Sequence, residues 1–132
     1  VLKVSLNNNG RIDILETASG DLLLSNVSAS IQIADMAVQS YSFADAQMSD
    51  SLFDDRMGKG TEKTFEFNDE KNQIDVKWYL RTFKSKPVIT AKVEITNKNA
   101  KPVKVDKLIA LHTDKGIPFY SSNIIRCIDI ME

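Results

Sequence analysis

Few residues in this chain have side chains suited to chemistry. His112 is its only histidine and Cys127 its only cysteine. A zinc centre draws on several thiolates or imidazoles, and two such residues cannot supply them. His112 directly follows apolar Leu111, and no Gly-x-Ser-x-Gly nucleophile elbow accompanies it. We read it as a histidine at the rim of a strand. Cys127 reads as a small buried hydrophobe. A lone thiol forms no internal disulfide and leaves the redox compartment open. Gly58-Lys59-Gly60 lacks the spacing and following helix of a phosphate-binding loop, so it is expected to be a turn.

The acids offer one further possibility. Asp50, Asp54 and Asp55 fall within six residues. They lack the alternating Asp spacing and the glycine of a calcium loop. As glycosidase carboxylates, two of them would have to sit ~5 Å apart across a sugar ring. Spacing does not establish that, and Asp55-Arg56 reads more simply as an ion pair or loop anchor. No catalytic residue, metal ligand or cofactor is assigned.

Aromatic rings stack on the apolar faces of sugars, so aromatics lying off the core are candidate ligand contacts. Alternation places Tyr79 and Phe83 on the outer face of their strand. Tyr41, Phe119 and Tyr120 lie in or near connections. The competing reading packs these rings against a second sheet or a neighbouring domain. Trp78 shares a face with Ile74, Val76 and Leu80 and belongs to the core.

The elements that must position these groups have a period of two. Within Gln73–Phe83, Ile74, Val76, Trp78 and Leu80 alternate with Asp75, Lys77, Tyr79 and Arg81. Within Val88–Thr96, Ile89, Ala91, Val93 and Ile95 alternate with polar residues. Lys84-Ser85-Lys86-Pro87 joins the two as a hairpin. Val103–Leu111 alternates at first, then turns continuously apolar from Leu108 to Leu111. That switch predicts a bulge or a strand end buried on both faces. Shorter strands are expected at Leu2–Leu6, Arg11–Thr17, Leu22–Leu24, Val27–Ile33, Val38–Phe43 and Thr61–Phe67. The last segment, Ile124–Ile130, also reads as a strand. Ala44–Met57 does not alternate, and its Met48, Leu52 and Phe53 predict a short helix or a long ordered loop. About nine closely spaced strands with polar turns imply a sandwich or barrel.

Composition narrows the class. The chain has 132 residues, 42% hydrophobic and 27% charged, with a formal charge of −1. That length fits one domain, and the apolar content excludes a disordered tail. No basic excess marks a nucleic-acid binder. The longest apolar run, Leu108–Leu111, falls far short of the ~20 residues that span a bilayer.

The order of elements from Ser51 to Leu111 resembles a known family. Ser51-Leu52-Phe53-Asp54-Asp55-Arg56-Met57-Gly58-Lys59-Gly60 leads into a strand. Trp78-Tyr79-Leu80-Arg81-Thr82-Phe83, a short turn and Pro87-Val88-Ile89 follow. Val93-Glu94-Ile95-Thr96-Asn97 then reaches Lys101-Pro102-Val103. This resembles the N-terminal β-sandwich of family 36 glycoside hydrolases, the α-galactosidases and raffinose-synthase-like proteins. The resemblance implies an all-β, antiparallel, supersandwich-like fold. It also implies catalytic carboxylates on a downstream (β/α)₈ barrel, which this chain is too short to contain. No catalytic residue carries over.

Residues 1–132 are therefore expected to form a single β-sandwich domain, a piece of a larger chain that begins here at Val1. Its expected role is that of a non-catalytic accessory domain of a carbohydrate-active enzyme, with the barrel of its parent chain as partner and carbohydrate as a further candidate. No nucleic acid or membrane span is expected, and a periplasmic or extracellular setting is weakly favoured over the cytoplasm. The alternative is a stand-alone immunoglobulin-like binding or adhesion module of a bacterial surface protein.

Overall fold

Two antiparallel sheets make up the structure, a computed structural model in which residues 1–113 are described. The strands are β1 (Leu2–Leu6), β2 (Ile12–Glu16), β3 (Leu22–Ile33), β4 (Gln39–Ser40), β5 (Gln47–Asp55), β6 (Gly58–Asp69), β7 (Ile74–Phe83), β8 (Ile89–Asn97) and β9 (Val105–His112). The first sheet runs β1-β2-β3-β4, with β9 also on β3; the second runs β5-β6-β7-β8. There is no helix among the described residues, and the sheets form an all-β sandwich.

The core lies between the inner faces. Ile12, Ile14, Leu24, Val27, Ala29 and Ile31 come from the first sheet, and Phe65, Ile74, Val76, Trp78 and Leu80 from the second. The alternation of β7 is realised residue by residue, its even-numbered apolar side chains being buried from Ile74 to Leu80. The chain crosses between the sheets after β4, and Tyr41 and Phe43 on that crossing plug the core. The expected strand at Val38–Phe43 shrinks to Gln39–Ser40 for this reason. Phe43 stacks on Trp78 at 4.8 Å between ring centroids. Its N–H donates to the Gly10 carbonyl, and the Arg11 guanidinium donates to the Tyr41 carbonyl. The crossing is thus tied to the β1–β2 turn.

The apolar switch in the last described strand is a bulge. Ser30 faces Ile109 and Ser28 faces His112, so β9 carries one residue more than β3 over this stretch. The Trp78 indole N–H donates to the Ala110 carbonyl at 2.8 Å inside this bulge. A buried donor needs an acceptor, and a regular ladder would have turned that carbonyl toward a neighbouring strand.

Two expectations are corrected. The segment expected as a helix or loop over Ala44–Met57 contains β5, paired with β6 over nine consecutive residues from Gln47↔Glu66 to Asp55↔Gly58. β5 is an edge strand with almost every residue exposed. Neither of its faces needs an apolar set, so the period-two signal is missing. The turn expected at Gly58-Lys59-Gly60 lies instead at Arg56-Met57, where the Asp55 carboxylate accepts the Met57 N–H at 2.8 Å. The glycines begin β6. A side chain at position 60 would meet the Thr82 carbonyl at 1.9 Å, so the backbones approach as only glycine allows.

Replacing Trp78 by Phe keeps a ring but deletes the N–H and some volume. An unmet buried carbonyl costs about 1–3 kcal/mol, and the smaller ring leaves a cavity. Denaturant unfolding of Trp78→Phe is expected to show a loss of about 2–4 kcal/mol.

Candidate functional site

The outer face of the second sheet carries most of the residues with chemical potential. Cross-strand register aligns Glu62 with Arg81, Thr64 with Tyr79, and Glu66 with Lys77. It also aligns Tyr79 with Lys92 and Lys77 with Glu94. Arg81 donates to Glu62 at 2.6 Å and to Asp55 at 2.8 Å. Its guanidinium also covers the Phe53 ring, 4.5 Å from the centroid. Tyr79 donates to Glu94 at 3.0 Å, and the Lys92 ammonium sits 5.2 Å from the tyrosine ring centroid. Hydrogen bonds from Lys92, and then from Tyr79, hold the Glu94 carboxyl below its usual range. Partial burial, reinforced by the bond to Glu94, raises the Tyr79 phenol. The Glu66 carboxylate raises Lys77. The result is a lattice of mutually satisfied charges.

The five aromatic candidates separate. Tyr79 lies on this outer face, half-buried. Phe83 is on the expected face but not open: it is 2% exposed. Phe53 packs edge-on against it at 5.2 Å, and Lys86 lies over its ring. Phe53 comes from β5, so expecting a loop there concealed the cover. Tyr41 is 3% exposed, its ring against Phe67 and its hydroxyl donating to Asp69 at 3.1 Å. That ring belongs to the core. Phe119 and Tyr120 lie outside the described residues, as does Cys127.

The acids do not converge. Asp54 and Asp55 are neighbours on a strand, so they point to opposite faces. Asp54 pairs with Lys59, Asp55 with Arg81 and Asp50 with Lys63. Asp55 is the loop anchor expected of it, but its ion-pair partner is Arg81, not Arg56. Among the described residues no group of three or more His, Cys, Asp or Glu could hold a metal. A groove of about 240 Å³ lies at this end of the sheet, lined by Leu52, Phe53, Asp54, Lys59, Gly60 and Lys84. Small-molecule sites are ~300–1,000 Å³ and bring polar groups to one point; this groove is smaller, and its Asp54 and Lys59 neutralise each other.

A second polar cluster escaped the sequence reading. His112 Nδ1 lies 2.5 Å from Ser30 Oγ and 3.1 Å from Ser40 Oγ, and the two hydroxyls are 2.8 Å apart. It clasps β4, β3 and β9 together. His112 is thus placed at the strand end, as expected, in a structural role. The partners are 72 and 82 residues away, and no local pattern marks them.

Taken together, these residues are joined to one another by ion pairs and hydrogen bonds within and between the strands. The family model described as the glycosyl hydrolase family 36 N-terminal domain matches residues 17–116. No curated protein and no solved structure matches the chain.

Tyr41 gives a pH test of this packing. Burial, and then the hydrogen bond to Asp69, raise its phenol above the ordinary value. The folded state therefore gains from a neutral phenol below the unfolded pKa near 10, and loses that gain as pH rises through the raised value. Stability of the native chain is expected to fall more steeply above pH ~10 than that of Tyr41→Phe. At neutral pH the variant should be weaker by about 1–2 kcal/mol, having lost the bond to Asp69. Unfolding midpoints compared across the alkaline range check both.

Proposed function

The chain belongs to the family of glycosyl hydrolase family 36 N-terminal domains, and from that premise we propose that it is a non-catalytic accessory domain supporting a downstream (β/α)₈ barrel in an α-galactosidase-like parent enzyme. The family match over residues 17–116 carries this reading. The dispersed, ion-paired acids support it: a hydrolase needs two carboxylates flanking one bond, and Asp50, Asp54 and Asp55 are each committed to a cation. Chemistry is therefore left to carboxylates on the barrel. The domain contributes a rigid platform, and Tyr79 is the described aromatic whose face could still meet a sugar presented from outside.

An antibody raised against this domain, used on lysate of the source cells, tests the reading. The expected band lies at roughly 60–90 kDa, room for a barrel as well as the sandwich. The same species, captured on the antibody, should release p-nitrophenol from the α-galactoside, whereas the 132-residue chain alone should not. A band near 14.8 kDa would sink the accessory reading and favour the stand-alone binding module, to be examined on a glycan array.

A further inference from the structure

The second sheet is polarised along its strands. The β5–β6 and β7–β8 turns lie at one end of it, and the β6–β7 turn lies at the other. At the first end, residues 54–59 and 84–87 carry Arg56, Lys59, Lys84 and Lys86 against Asp54 and Asp55. At the other end, residues 69–75 carry Asp69, Glu70 and Asp75 against Lys71. The two acids of the basic end are already engaged: Asp54 holds Lys59 at 3.2 Å, and Asp55 holds Arg81 at 2.8 Å. Among the described residues no carboxylate pairs with Arg56, Lys84 or Lys86.

These cations adjoin apolar surface. Leu52 is 78% and Met57 47% exposed, and Leu52 lines the groove together with Phe53, Lys59 and Lys84. The surface is also held in place by its own bonds. The Lys86 ammonium donates to the Met57 carbonyl and so ties one turn to the other. The Lys84 N–H donates to the Lys59 carbonyl at 3.0 Å, and the Asp55 carboxylate closes the β5–β6 turn. A surface already fixed loses little freedom when a partner binds.

We propose that this end of the second sheet docks an acidic segment of a partner protein. An apolar side chain of that segment enters the groove beside Leu52, and the carboxylates flanking it meet Arg56, Lys84 and Lys86. Charge complementarity selects this occupant. Three cations without an internal acid attract a carboxylate rim and steer its approach, and an apolar centre within a polar rim is the usual anatomy of a protein interface. A polyphosphate would use the cations but leave Leu52 and Met57 in water. A second copy seated patch to patch would set lysine against lysine. The docking goes beyond the accessory role and does not depend on a catalytic barrel.

Amide chemical shifts of the isotope-labelled 132-residue chain test it, with a synthetic peptide of one leucine between two pairs of glutamates as the probe. Saturable shifts are expected over residues 52–60 and 83–88, with affinity falling as salt is raised from ~0.05 to ~0.5 M. Arg56→Glu combined with Lys84→Glu should weaken binding at least about tenfold. Both residues are exposed, so the melting temperature should not move, and this variant should instead take the peptide with lysines in place of the glutamates. Leu52→Ser should weaken binding severalfold at unchanged charge. The absence of saturable shifts, or shifts centred elsewhere, would overturn the proposal. So would binding indifferent to Leu52→Ser, which reduces it to attraction of any anion. Tighter binding of a duplex DNA oligonucleotide at the same residues would make nucleic acid the partner, and self-association abolished by the double variant would make it a second copy; either result also overturns it.

Discussion

The hydrogen bond from the Trp78 indole to the Ala110 carbonyl is the constraint on which the described structure turns. Trp78 is the largest side chain in the core and is fully buried, so its N–H must find an acceptor from the facing sheet. The acceptor exists because β9 bulges there. The same bulge turns His112 to the face of β3 that bears Ser28 and Ser30, within reach of Ser30 and Ser40. One extra residue in one strand thereby satisfies the core tryptophan on one face and clasps three strands on the other. Phe43 stacks on the ring so placed and fixes the path of the chain between the sheets.

Stability and surface character are divided between the layers of the fold. The buried aromatic and aliphatic side chains between the sheets supply most of the driving force, at about 25 cal/mol per Å² of apolar surface removed from water. The outer lattice of the second sheet adds little by comparison, since exposed ion pairs contribute at most about 1 kcal/mol each. Its value lies in order. Alternating signs across β6, β7 and β8 favour the observed register, since like charges face one another in shifted ones. On β5 the three aspartates discourage self-pairing of a long exposed edge, although Leu52 stands 78% exposed on that strand.

Strands with one buried face were legible in the sequence, and strands without one were not. Ile74 to Leu80 announced β7 because sheet against sheet requires a period of two. The bulge in β9 was legible for a related reason: the run Leu108–Leu111 abandons alternation where the strand does. β5 was hidden because both its faces meet water and nothing constrains its pattern. Phe83 was put on the correct face, but its cover by Phe53 depends on the hairpin that brings β5 alongside β6. Tyr41 looked like a loop residue and is one, yet the loop runs through the core. The clasp of His112 by two serines is built from distant residues, and only the folded topology brings them together. The family resemblance rested on the order of turns and strands, and that order survives even where a single element was misjudged.

The bulge also governs which changes of length the domain can absorb over evolutionary time. Most strands of a sandwich tolerate insertions and deletions at their turns, where the ladder has already ended. β9 does not have that freedom at Ala110. Deleting one residue there restores a regular ladder and removes the carbonyl that accepts the indole N–H. Length changes that keep this packing therefore fall in the connections, such as the segment between β8 and β9, while the spacing from Leu108 to His112 is tied to the indole and to the two serines.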